Sequence, residues 1–149
     1  MRAVIQRVNA ALVRVDNKVV AGIKKGLLIF LGVERQDTSQ QAQYLAGKII
    51  ELRIFNDRNR KMNLCAREAK PEFLVVSQFT LCAEVAKGRR PGFDRAAPPD
   101  LAEKLYLEFI QYLKESQLKV QQGIFKAYMN VHIENDGPVT FILDSREEK

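Results

Sequence analysis

Residues 26–33 read Gly-Leu-Leu-Ile-Phe-Leu-Gly-Val, without a polar side chain at any position. A strand with one wet face alternates with period two, so an unbroken apolar run of this length needs cover on both faces, as a central strand has between packed layers. The run falls far short of the roughly 20 residues that cross a bilayer as a helix, and the N-terminus lacks the charged-then-apolar pattern of a secretory leader. The expectation is a chain without membrane span or signal, working in the cytoplasm.

The flanking segments supply the layers. Residues 2–9 and 12–16 alternate apolar and polar side chains, and Asp16-Asn17 offers a tight turn before residues 18–23 run back. Residues 37–53 then change period, placing Ala42, Leu45, Ala46, Ile49 and Ile50 on one stripe behind a capping Asp37 or Ser39. A second amphipathic helix follows Pro98-Pro99-Asp100, with Leu105, Tyr106, Phe109, Ile110 and Leu113 as its stripe. Between the helices, residues 72–79 read as another buried strand. After Gly123 alternation returns at Met129, Val131 and Ile133, and Asn135-Asp136-Gly137-Pro138 is expected to turn the chain into a final strand over 139–143. The fold class is α/β: a mixed or largely antiparallel sheet, or barrel-like β layers, with two packed helices.

At 149 residues with 46% hydrophobic side chains, the chain suits one domain spanning 1–149, with a polar, frayed tail over 145–149. Cys65 and Cys82 are not in CxxC spacing and His132 is the only histidine, so neither a disulfide framework nor a Cys/His zinc site can be assembled. No metal or other cofactor is expected. The net charge of +6 favours a polyanionic partner.

Three segments could carry chemistry. Ser77 and Thr80 stand at the end of a buried strand, but no GxSxG elbow surrounds either. Alternation leaves His132 on the polar face beside Asn130 and Glu134, where a solvated histidine is the simpler reading. Regular pleating would also set Ser77 and Phe79 on one side and Gln78 and Thr80 on the other, unless the strand breaks there. The Lys87-Gly88-Arg89-Arg90-Pro91-Gly92-Phe93 loop, with Arg95 beyond it, suits either phosphate contacts with Phe93 as a stacking face or a merely solvated charge run. A second basic cluster comprises Arg58, Arg60 and Lys61. Gly137-Pro138, in a turn, is the third segment.

Taken together, Ser77-Gln78-Phe79-Thr80-Leu81, the Gly-Arg-Arg-Pro loop and Asn135-Asp136-Gly137-Pro138-Val139-Thr140-Phe141 resemble the signature motifs of the D-aminoacyl-tRNA deacylases and the loop between them. The opening residues 1–8, the strand 26–33, Ile54-Phe55-Asn56-Asp57 and Lys61-Met62-Asn63 are similar to the same family in the same order, so the resemblance covers essentially the whole chain. It departs at Lys126, where the family usually has a small residue, and at Ala11, commonly a serine.

The resemblance implies a homodimer that hydrolyses the ester of a D-amino acid, or glycine, on the terminal adenosine of tRNA. It assigns Ser77, Gln78, Phe79 and Thr80 to catalysis. It assigns Gly137, Pro138, Met129 and Arg7 to substrate binding, with a cis Gly-Pro turn inserted from the partner subunit and held by Arg7. The basic residues Lys87, Arg89 and Arg90 would meet tRNA. A rigid turn crowding one face of the α-carbon rejects L-residues by collision, with no need for a side-chain pocket. The amides of Phe79 and Thr80 are the expected oxyanion donors, with the substrate's 2′-OH helping to activate water. Alternatives are Thr80 as a covalent nucleophile, a nucleic-acid-binding dimer without catalysis, and a purely structural dimer.

Overall fold

A computed structural model describes residues 1–146. The strand β1 (Arg2–Val15) turns at Asp16 and Asn17, both at positive φ as a type I′ hairpin requires, into β2 (Lys18–Ile23), with Val15 opposite Lys18. The two alternating segments at the start are thus one continuous strand. The apolar run becomes β3 (Gly26–Gly32), antiparallel to residues 2–8 of β1, while β2 shares the same edge of β1 further along. After α1 (Ser39–Glu51), a hairpin of β4 (Phe55–Asn56) and β5 (Met62–Leu64), and the one-turn α2 (Ala66–Ala69), strand β6 (Glu72–Ser77) pairs parallel with β3. Helix α3 (Pro99–Lys114) then crosses to β7 (Val120–Gln122), parallel to β6, and β8 (Asn130–Asp144) returns along the other edge of β1.

The order β8-β1-β3-β6-β7 puts β3 in the middle of the sheet, with β2 curling round. The amide of Lys24, just past β2, donates to the Glu72 carboxylate at 2.9 Å, and the Lys119 ammonium meets the same carboxylate at 3.2 Å. These contacts draw the ends of the sheet toward a nearly closed barrel. The two faces of β3 explain its composition. Leu27, Ile29 and Leu31 enter a core with Leu45 and Ile49 of α1 and Phe109 of α3, while Leu28 points into a second core with Val8, Val13, Leu74 and Val76.

Four expectations need correction. The cap of α1 is Thr38, whose hydroxyl accepts from the Gln40 amide in a capping box with Gln41. Asp37 is instead buried, receiving the Met1 ammonium at 2.5 Å and the Glu34 amide at 2.6 Å. Burial pushes the Asp37 carboxyl up and the Met1 amine down from their ordinary values, against the attraction between them. The α-helices among the described residues number three, because α2 joins the two amphipathic ones. Ser145 is tied down by its amide to Met1 O at 2.9 Å, so the tail does not fray there; residues 147–149 lie outside those described.

Asn135-Asp136-Gly137-Pro138 does not reverse the chain either. Pairing continues on both sides of it within β8, but β1 advances from Gln6 to Val8 while β8 steps from Thr140 back to Asn135. The extra residues loop out as a wide bulge, an outward excursion within a strand. The periodicity had no means of separating that from a hairpin.

Candidate active site

Strand β6 stops at Ser77, where Gln78 leaves the β region at φ −142° and ψ 79°, and Phe79–Cys82 coil into a 3₁₀ turn. The first hydrogen bond of that turn runs from Leu81 N to Gln78 O at 3.2 Å. The amides of Phe79 and Thr80 precede it and have no acceptor inside the turn, as at any helical N-terminus. Regular pleating therefore does not apply here. Gln78 Nε2 donates to Thr80 Oγ1, fixing the two side chains to each other. Gly32 makes room for this geometry: a Cβ there would stand 3.0 Å from Cys82 Sγ, from Gln78 O and from Leu81 Cβ.

The break opens a cavity of about 570 Å³. Ser77, Gln78 and Phe79 line it, together with Met129 from the segment before β8. Thr80 stands outside the lining, exposed beside Gln78. Alternation did not reveal the opposite wall, formed by Ala96, Ala97, Pro99 and Ala102 at the start of α3 and by Phe125, Lys126 and Tyr128. Ala97 N donates to Val33 O at 3.0 Å, which lays this wall along the end of β3. Tyr106 braces it from below, its ring 5.7 Å from that of Phe125 and its hydroxyl donating to Val75 O at 3.0 Å. Burial holds the Tyr106 phenol far above its ordinary value, so it stays protonated.

The lining contains no histidine, carboxylate or cysteine among the described residues. His132 is exposed on β8, opposite Leu12, beside a different cleft. Cys82 is fully buried, its thiol pushed up by burial and 3.4 Å from Val33 O, which leaves it a poor nucleophile. No cluster of His, Cys, Asp or Glu among the described residues could hold a metal ion. The chemistry available is therefore positioning, the polar side chains of Ser77, Gln78, Lys126 and Tyr128, and the backbone donors of the turn.

The loop carrying Lys87, Arg89 and Arg90 leaves from the same turn. Its neck is a pair of hydrogen bonds between Glu84 and Gly92, at 2.8 and 2.9 Å, and beyond it the three cations are exposed and stand clear of the cavity. Phe93, 37% exposed, packs on Phe79 with ring centres 5.0 Å apart and planes tilted by 57°. The base of the loop is clamped by the buried Glu34 carboxylate, which meets Arg95 at 3.3 Å and Arg2 at 3.8 Å and contacts Arg146.

Gly137 and Pro138 lie elsewhere in the chain, both exposed, on the bulge of β8 and joined by a cis peptide. Gly137 has φ +125°, and a Cβ on it would meet Val139 Cγ2 at 2.6 Å. Arg7 anchors the bulge. From a position 8% exposed it donates to Asp136 Oδ2 at 2.9 Å, Ile54 O at 2.8 Å and Asn56 Oδ1 at 3.1 Å. Asn135 Nδ2 adds bonds to Arg7 O and Val139 O. One chain thus does not bring Arg7, Gly137 and Pro138 into the cavity of its own Ser77. Ala11 is buried in the inner core and lines a different cleft.

A barrel-like α/β domain with a pocket at the broken end of a central strand is the architecture to be matched. The D-Tyr-tRNA(Tyr) deacylase family model matches residues 4–144. Proteins named D-aminoacyl-tRNA deacylase from Aquifex aeolicus (strain VF5) and Thermosipho africanus (strain TCF52B) are 54% and 53% identical over 147 residues, each match covering 99% of both chains. A solved structure described as c-Myc DNA Unwinding Element Binding Protein superposes with a TM-score of 0.91 at 39% identity, covering 97% of this chain and 98% of the other. A further one, described as a probable eukaryotic D-amino acid tRNA deacylase, has a TM-score of 0.83 at 18% identity over 95% and 97% of the two chains, a likeness of fold. The chain belongs to the D-Tyr-tRNA(Tyr) deacylase family.

Proposed function

We propose that this protein hydrolyses the ester bond of D-aminoacyl-tRNA, and of mischarged glycyl-tRNA, as a homodimer in the cytoplasm. The observation that carries the reading is the pocket itself: in a chain of this family, a strand break leaves the amides of Phe79 and Thr80 without an acceptor inside the turn, next to a cavity whose described lining holds no histidine, carboxylate or cysteine. Water adds to the acyl carbon, the bond to the terminal ribose oxygen breaks, and the amides of Phe79 and Thr80 receive the developing oxyanion. The neighbouring ribose hydroxyl relays the proton from water to the leaving oxygen. No protein side chain acts as nucleophile. Deacylation that persists in Thr80→Ala but fails on tRNA ending in 2′-deoxyadenosine is the expected pair of results, and an acyl-enzyme trapped on Thr80 would overturn it.

The second copy closes the pocket. Ile142 is 78% exposed, and the cross-strand row Ile142-Val4-Phe30-Val76 leads from it on the outer strand to Val76, which is buried in the second core and lines the cavity. A partner lying on that row would present its bulge, with Gly137 and Pro138, to the Ser77 pocket. Crowding one side of the substrate α-carbon would admit D-residues and glycine and reject L-residues. Side-by-side deacylation of D-Tyr-tRNA and L-Tyr-tRNA tests the function. The D-ester is cleaved and the L-ester spared; equal rates would remove the claim of chiral selection.

A second reading, a nucleic-acid-binding dimer without catalysis, draws on the exposed Lys87, Arg89 and Arg90 and on the DNA-binding description of the 39%-identical structure. It expects binding that falls steeply with salt and no ester turnover.

A further inference from the structure

We infer that Lys126 is a substrate-positioning residue that holds the phosphate on the 5′ side of the terminal adenosine, an inference that rests on the deacylase reading. Among the described residues lining the cavity, Lys126 is the only lysine, arginine or carboxylate. It forms no ion pair with a described carboxylate. The cations of the basic loop are absent from the lining, so Lys126 alone brings positive charge to the place where the ester must sit.

The backbone at this position adds a second observation. Lys126 has φ +63°, in a turn closed by Ala127 N donating to Ile124 O at 3.2 Å. Glycine adopts that conformation freely, whereas a residue with a Cβ does so against its preference. A long cationic side chain thus occupies a position whose geometry favours glycine, on a residue of the pocket wall.

The consequence follows from the polarity of the substrate. An aminoacyl ester on a terminal adenosine carries a positive ammonium on one side of the acyl carbon and, one nucleotide back, a negative phosphodiester. A single lysine at the rim attracts the second. It therefore draws the phosphate toward segment 126–128.

The test compares D-Tyr-tRNA with 3′-O-D-tyrosyl-adenosine, which has the same ester without the phosphate. Lys126→Gly suits the turn, so loss of fold does not confound it. On the tRNA, the variant should raise KM by about fivefold, equivalent to ~1 kcal/mol at 1.4 kcal/mol per tenfold, with little change in kcat. On the adenosine ester it should change neither, and Lys126→Arg should restore the wild-type KM on tRNA. Equal effects on both substrates, or no effect on either, would overturn the inference. A wild-type protein inert toward both esters would instead bring down the deacylase reading, and the role of Lys126 with it.

Discussion

The Arg7 guanidinium donates to the Asp136 carboxylate at 2.9 Å, tying the first strand to the bulge of the last across 129 residues of sequence. Its other hydrogen bonds, to Ile54 O and Asn56 Oδ1, bring in the segment that follows α1. One nearly buried side chain thus sets where Gly137 and Pro138 project.

Replacing Arg7 by alanine leaves these acceptors unpaired around a vacated site. Removing the charged partner of a largely buried group costs about 3 kcal/mol. Urea unfolding should show that loss, and deacylation should fall by a larger factor than in Arg7→Lys, which keeps the charge without the fork.

Gly32→Ala inserts a methyl group between β3 and the 3₁₀ turn, 3.0 Å from neighbours on three sides. Overpacking of this kind costs roughly 1–3 kcal/mol. Because the turn carries the proposed oxyanion donors, kcat should drop by about 10²-fold, the penalty of a displacement near 1 Å. Steady-state kinetics beside a thermal melt separates the two effects.

Ile142→Glu places a charge at the exposed end of the apolar row, opposite Val4. The substitution touches no catalytic group of its own chain. Sedimentation should show a monomer, and deacylation should disappear while the circular dichroism spectrum is kept.

Alanine at Lys87, Arg89 and Arg90 together should raise KM for D-Tyr-tRNA and leave turnover of 3′-O-D-tyrosyl-adenosine unchanged. Each phosphate contact contributes roughly 0.7–0.9 to the slope of log K against log salt. Filter binding across a salt series should therefore give a shallower slope for the triple variant.

Asp57 accepts from the Lys61, Asn59 and Asn63 amides, which hold its carboxyl below the ordinary 3.8, the Lys61 backbone amide contributing most. Its folded value lies under its unfolded one, so its contribution is fully present above pH 3.8 and lost as pH falls through the depressed value. Asp57→Asn should flatten the pH dependence of unfolding below 3.8 and leave the slope at neutral pH unchanged. Chemical denaturation over that range measures it.

The elements most legible in the sequence were those with a single physical cause. An apolar run bounded by glycines becomes the strand buried on both faces, two apolar stripes become α1 and α3, and Asp16-Asn17 makes a hairpin because short polar residues tolerate positive φ. The cap of α1 was missed by one position, because Thr38 stands between two residues that cap equally well in the abstract and Asp37 is taken up by the Met1 ammonium. The break after Ser77 was invisible to alternation, since the strand ends where Gly32 lets a turn pack on its neighbour.

Local pattern in this chain determined the layers and singled out the segments proposed to carry chemistry: Ser77 to Thr80, the basic loop, and the residues around Gly137-Pro138. Which of them share a site was decided by tertiary structure alone. Pairing of β1 with β8 makes the last of them a bulge held by Arg7, remote from its own chain's pocket, and packing of segment 124–129 against the start of α3 makes Lys126 part of the wall. Periodicity reports which face of an element is dry, whereas a site is assembled from contacts between residues far apart in sequence, about which periodicity carries no information.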